Sequence, residues 1–185
     1  MQSNRLDPIM VALSTIPGYD RSMATTTETA EPAAVEPDSR QLDGRELAAW
    51  RGLLFRYRNM TAAIDERLER EHGLSLSSYE VLLLLSMASD HSLRMGNLAD
   101  QLLLSRSGLT RLVDRMVARG LLERHTCPDD RRGTYARLTD AGMEKFREAQ
   151  PTNLAAIREQ FLSRLDDDDL ENLARAWDRL DDSGC

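Results

Sequence analysis

The stretch MGNLADQLLLSRSGLTRLVDRMVARG, residues 95–120, limits the folds open to this chain more than any other. Leu109, Leu112, Val113, Met116 and Val117 recur at i, i+3, i+4, i+7 and i+8, one face of an α-helix that has to point inward. Ser105 stands where an N-cap belongs, and Gly120 where a left-handed C-terminus belongs. A shorter helix, about Met95 to Leu102, precedes it. Only a few residues join the two, so the chain turns sharply between them, as it does in a helix-turn-helix.

The opposite face of the second helix carries Arg106, Ser107, Thr110, Arg111, Asp114 and Arg115, with Ser105 at its start. An α-helix fits the major groove of B-DNA, where Arg, Ser and Thr side chains bond base edges and phosphates. A solvated helix also shows charge on its outer face, and Asp114 offsets part of this one. The wider charge distribution matters here. The chain is acidic overall, net −7, yet residues 94–137 hold nine basic and five acidic groups, net +4. Such a local patch can capture phosphate although the molecule as a whole repels it.

LLERHTCPDDRRGTYARLT follows and reads as a β-hairpin, one arm near Leu122 to Thr126 and the other near Thr134 to Leu138. Its tip, CPDDRRG, has turn-forming Pro, Asp and Gly. Arg131 and Arg132 sit at that tip, and Asp130 is close enough to orient the Arg132 guanidinium. Arginine suits a narrow, electronegative minor groove. An ordinary polar turn would show similar residues.

Helices flank this unit. Leu47, Trp50, Leu54, Tyr57, Thr61, Ile64 and Leu68 alternate at spacings of three and four, a near-heptad seam on a long helix that ends at His72-Gly73. The seam is long enough to pack on a second chain as well as on its own core. In SLSSYEVLLLLSMA, Ser77 and Glu80 match a capping box before a run apolar nearly all round, which predicts a central buried helix. Thr139 is a candidate N-cap for a further helix, with Asp140 at the positive end of its dipole. Met143, Phe146, Leu154, Ile157 and Phe161 continue that helix, and Pro151 inside it is expected to bend it. Asp166 to Asp169 open a last helix with Leu170, Leu173, Ala174, Trp177 and Leu180 on its apolar face.

Residues 1–40, rich in Thr, Ala, Glu and Pro, show neither helical nor strand periodicity and are expected to be a disordered tail; Met23 is an alternative start. Hydrophobic residues at 41% and charged residues at 30% exclude a wholly disordered or collagen-like chain. No run of about 18 apolar residues suggests a membrane span. Two cysteines, Cys127 and Cys185, cannot build a disulfide framework, and a cytoplasmic location is expected. His72, His91 and His125 lack metal-ligand spacing and read as structural, so neither metal nor cofactor is expected. No P-loop, G-x-S-x-G or H-E-x-x-H motif points to an enzyme.

The strings SLSSYEVLLLLSMA, MGNLADQLLLSRSGLTRLVDRMVARGLLERH and PDDRRGTYARLTDAG, in this order, resemble the MarR family of winged helix-turn-helix transcription regulators. The resemblance spans roughly residues 45–181. Its most discriminating part is a D-x-R wing followed by L-T-x-x-G, here Asp130, Arg132, Leu138, Thr139 and Gly142. It implies a mainly α fold with a small β-hairpin wing and one domain over residues 41–182. The DNA-binding lobe would lie at about 75–138, and long dimerisation helices at about 45–72 and 139–181. It further implies a homodimer on double-stranded DNA, most simply a repressor at a pseudo-palindromic operator, with the helix from Ser105 in the major groove and Arg132 in the minor groove. A small aromatic or phenolic ligand is expected in a cleft near Tyr57, Met60, Ile64 and Met87, residues that core packing would equally explain. Redox-sensing relatives place a reactive cysteine near the first helix. None lies there in this sequence, although arginines near Cys127 could favour its thiolate. The rival reading is a winged-helix module that docks another protein through the same basic face.

Overall fold

The structure is a computed structural model that describes residues 40–127 and 130–181, with the side chains of 127, 130–133 and 181 excluded. The tail expected over residues 1–40 (apart from Arg40), Met23, Cys185 and the side chains of Cys127, Asp130, Arg131 and Arg132 therefore lie outside the described residues.

Helix α1, Gly44–His72, begins with a capping box. The Asp43 carboxylate accepts the amides of Arg45 and Glu46, and Glu46 accepts the amide of Asp43 at 2.8 Å. It ends at Gly73, whose φ of 62° is the left-handed conformation a glycine adopts without strain. The expected seam divides in two. Ile64 and Leu68 are buried, whereas Leu47, Trp50, Leu54 and Tyr57 stay exposed.

Helix α2, Leu76–Met87, is the central helix, with Tyr79 and every residue from Val81 to Leu85 buried. Its cap corrects the sequence reading: the N-cap is Ser75, which accepts the amide of Ser78, and Ser77 already lies in the first turn. The physical reason comes from outside the helix. The Asp65 carboxylate of α1 accepts the free amide of Leu76 at 2.7 Å, and the Ser75 and Ser78 hydroxyls meet at 2.8 Å, so the first turn is satisfied two residues earlier. Glu80 is left without a capping role.

Strand β1, Ser92–Arg94, leads directly into α3, Met95–Gln101. Helix α4, Arg106–Ala118, follows a turn in which Leu103 takes a φ of 51°. Strands β2, Leu122–Cys127, and β3, Asp130–Leu138, form the hairpin, with longer arms than the sequence predicts. β3 is the middle strand of a three-stranded antiparallel sheet in the order β1-β3-β2. Sequence reading missed β1, which exists through its pairing of Ser92 with Arg137 and Arg94 with Tyr135.

Helix α5, Asp140–Gln160, is capped by Thr139 and runs on past Pro151. A 3₁₀ turn, Leu162–Arg164, and α6, Asp167–Asp181, complete the described chain. Asp166 caps α6 by accepting the amide of Asp169 at 2.8 Å.

One core joins α1, α2, α3, α4, α5 and the sheet through Leu68, Leu82, Leu98, Leu109, Phe146 and Leu138. Each such side chain contributes about 1.5–3 kcal/mol by leaving water. Tyr79 stacks on Phe146 of α5 at 5.6 Å, and burial pushes its phenol up to about 12 despite a hydrogen bond with Asn153. α1 and α5 are pinned further by His72 Nε2 to Thr152 Oγ1 at 2.8 Å and by Arg67 to Glu159 at 3.1 Å.

Candidate nucleic-acid interface

Helix α4 is positioned from beneath by its apolar stripe. Leu109, Leu112, Val113 and Met116 are buried and Val117 is half-buried, as the spacing predicts. The face this leaves outside holds Ser105, Arg106, Ser107, Thr110, Arg111, Asp114 and Arg115, all exposed. Ser105 caps the helix, its Oγ accepting the Gly108 amide at 3.1 Å. The Thr110 hydroxyl donates to the Arg106 carbonyl at 2.8 Å, so what it offers outward is a methyl group and its acceptor lone pairs.

The charges on this face are not equivalent. Asp114, the one carboxylate, accepts an ion pair from Arg124 of β2 at 2.9 Å. The same guanidinium donates to the Thr110 carbonyl at 3.3 Å. Arg106, Arg111 and Arg115 have no carboxylate partner among the described residues. The acid is thus tied to the hairpin and the remaining arginines face solvent with their full charge. Unpaired guanidinium groups attract phosphate and are available for bidentate bonds to guanine.

Arg124 was not singled out from sequence, because its role lies in a partner ten residues away on another element. It links the hairpin to the helix through Asp114 and the Thr110 carbonyl. Beside this contact a groove is lined by residues that include Arg94, Asn97, Asp100, Arg106, Thr110 and Thr134, which brings β1 and α3 to the same surface. Arg94 and Asn97 are further residues that sequence reasoning passed over; the polar N-terminal turn of α3 was the available signal. The register of β2 and β3 shifts between Thr126 and Cys127, and Cys127 pairs with Asp130. The backbone of Asp130, Arg131 and Arg132 thus extends β3 to the hairpin end.

The L-T-x-x-G string acts inside the fold. Thr139 Oγ1 accepts the Gly142 amide at 3.0 Å and shares its own proton between the carbonyls of Gly120, 2.7 Å, and Leu121, 3.0 Å. A Cβ on Gly142 would fall 2.1 Å from the Leu121 carbonyl oxygen and 2.8 Å from Leu138. Only glycine admits that approach. The motif therefore locks the start of α5 onto the chain leaving α4. At the same end of α4, Arg119 donates to the Gly73 carbonyl at 2.8 Å and so ties the lobe to α1.

Of the residues expected at a ligand cleft, the structure brings Tyr57 to an open cavity of about 590 Å³ between α1, α2 and the α3–α4 turn. Ile64 is in the core. Met60 and Met87 are not among the cavity's lining residues. No helix among the described residues is long and apolar enough to cross a membrane. His72, His91 and His125 sit in separate places: on Thr152, in the turn before β1, and against Tyr135.

Comparison with known proteins agrees with this geometry. The MarR family profile matches residues 72–133, the segment from the end of α1 to the hairpin tip. The HTH-type transcriptional regulator MhqR of Bacillus subtilis is 30% identical over 115 residues, covering 62% of this chain and 77% of MhqR. The transcriptional repressor MprA of Escherichia coli is 29% identical over 111 residues, 59% of this chain and 63% of MprA. AbsC, a MarR family transcriptional regulator from Streptomyces coelicolor, superposes with a TM-score of 0.72 at 33% identity, covering 78% of this chain and 97% of AbsC. Another MarR family regulator from the same organism, solved in complex with DNA, superposes with a TM-score of 0.71 at 29% identity, covering 76% and 91%. Sequence, profile and fold converge, and the chain belongs to the MarR family of winged helix-turn-helix transcriptional regulators, which are not enzymes.

Proposed function

We propose that this regulator binds a pseudo-palindromic operator on double-stranded DNA as a homodimer in the cytoplasm and represses the genes beside it. The observation that carries the reading is the set of arginines on the outer face of α4 that have no carboxylate partner among the described residues, beside a hairpin whose end carries Arg131 and Arg132. In this reading Ser105, Arg106, Ser107, Thr110, Arg111 and Arg115 address the major groove. Arg132, oriented by Asp130, addresses the adjacent minor groove with Arg131 on the backbone. A related regulator crystallised with DNA and a related repressor support the assignment.

The dimer rests on surface that one chain leaves uncovered. Leu47, Trp50, Leu53, Leu54, Phe55 and Tyr57 of α1 are each at least 40% exposed. α6, whose Trp177 and Leu173 share one side, has little contact with the rest of the described chain. Contiguous apolar area of this kind marks an association surface. A two-fold pairing through α1, α5 and α6 would set two copies of α4 about 34–36 Å apart, one turn of DNA. A small apolar or aromatic ligand in the Tyr57 cleft would release the DNA by favouring another spacing.

Fluorescence anisotropy with the DNA upstream of the protein's own gene tests this. Saturable binding that weakens steeply with salt, as counterion release requires, is the expected result. Binding that ignores salt and sequence would leave the basic face to a protein partner.

A further inference from the structure

The cleft between α1, α2 and the α3–α4 turn has an unusual balance of charge. Its lining includes two carboxylates, Asp65 and Glu80, and no Lys, Arg or His. Asp65 uses one oxygen on the Leu76 amide. Glu80 has neither hydrogen bond nor ion pair among the described residues, although Leu83 and Leu84 of its own helix and Leu102 to Leu104 of the turn surround the same space. Burial in that setting pushes its carboxyl above the usual glutamate value. The turn adds a second anomaly. Leu103 is 89% exposed and lines the cleft, held there by a backbone with φ 51° that a leucine rarely adopts. A half-buried acid without a partner and an apolar side chain without cover face one cavity of about 590 Å³, within the range of small-ligand sites.

We propose that this cleft takes a small organic cation with an apolar body, its positive centre beside Glu80 and Asp65 and its hydrocarbon against Leu84, Leu103 and the Tyr57 ring. A cation beside the half-buried Glu80 offsets the cost of burying its carboxylate, and an aromatic face such as Tyr57 attracts the same charge. An anion, including a phenolate or benzoate, would enter against two carboxylates with no donor side chain of opposite sign, a cost that burial raises. The inference rests on reading the cleft as an effector site and names the class of effector.

Tetraphenylphosphonium and tetraphenylborate have nearly the same shape and opposite charge. Calorimetric titration of each into the full chain, in sodium buffer without DNA, separates charge from hydrophobicity. The phosphonium binds and the borate does not. Glu80→Gln weakens phosphonium binding by about tenfold or more, the loss of an interaction with a charged group. Glu171→Gln, an exposed control on α6, leaves it unchanged. Leu103→Asn, which suits the left-handed turn, also weakens it. Equal binding of both probes, or an unchanged affinity in Glu80→Gln, overturns the proposal. Borate binding alone overturns the charge assignment and keeps the cleft as a site; binding of neither removes the effector site as well. Operator binding by the unliganded protein, read by anisotropy, stands apart from all these outcomes.

Discussion

Arg124 of β2 and Asp114 of α4 meet at 2.9 Å, and this ion pair is the bolt between hairpin and helix. It also offsets the negative charge of Asp114 on the outward face of α4. Both side chains retain solvent contact, so the pair contributes only about 0–1 kcal/mol to stability. Its role is to link the two elements. Arg124→Ala is expected to leave the melting temperature almost unchanged and to lower operator affinity several-fold. Asp114→Asn should do less, since it also removes a charge that repels phosphate. Anisotropy on the two single variants and the double variant measures the coupling.

Arg111→Ala is expected to cost about 1–3 kcal/mol of operator binding and to relax preference at the base it reads. Arg132→Ala should also weaken binding and should flatten the salt dependence by about one counterion if it meets phosphate rather than bases alone. Titrations at several salt concentrations distinguish the two. A normal affinity in Arg132→Ala would remove the wing from the interface.

The exposed half of α1 makes its own prediction. Trp50 is 53% exposed and outside the described core, so Trp50→Glu should spare the fold of the chain. Sedimentation is then expected to show a dimer for the parent protein and a monomer for the variant, and operator affinity should collapse with it.

Gly142→Ala tests the seat of α5. Its new methyl would collide with a backbone carbonyl, which cannot rotate aside, so a loss of about 1–3 kcal/mol is the least expected. Chemical denaturation reads the loss directly. A neutral outcome would mean that α5 can back away from Leu121 freely.

Glu80 predicts a pH effect of definite sign. Its carboxyl is held above the usual value of 4.5 by burial, so the folded state takes up a proton more readily than the unfolded chain. Stability is therefore lost as pH rises from the unfolded value through the folded one. Glu80→Gln escapes that loss. Thermal melts should show the variant gaining on the parent at neutral pH and not in acid below 4.5.

Much of this was legible in residues alone, for reasons that differ element by element. The α4 stripe is a local periodicity, and Leu109, Leu112, Val113 and Met116 are buried as it requires. Thr139 announced itself as a cap and is one. Ser77 with Glu80 matched a capping pattern equally well, but Asp65 reaches the Leu76 amide from another helix, and no local pattern contains that. β1 has three residues, too few for an alternation, and is defined by a strand far along the chain. The cleft also depends on distant segments meeting, which is why Tyr57 was found and Glu80, Asp65 and Leu103 were not.

The seat at Gly142 has one more implication. With a glycine Cα against the Leu121 carbonyl and Thr139 clasping both Gly120 and Leu121, the joint between α4 and α5 is tightly packed. A shift of the start of α5 is therefore expected to carry the end of α4 with it.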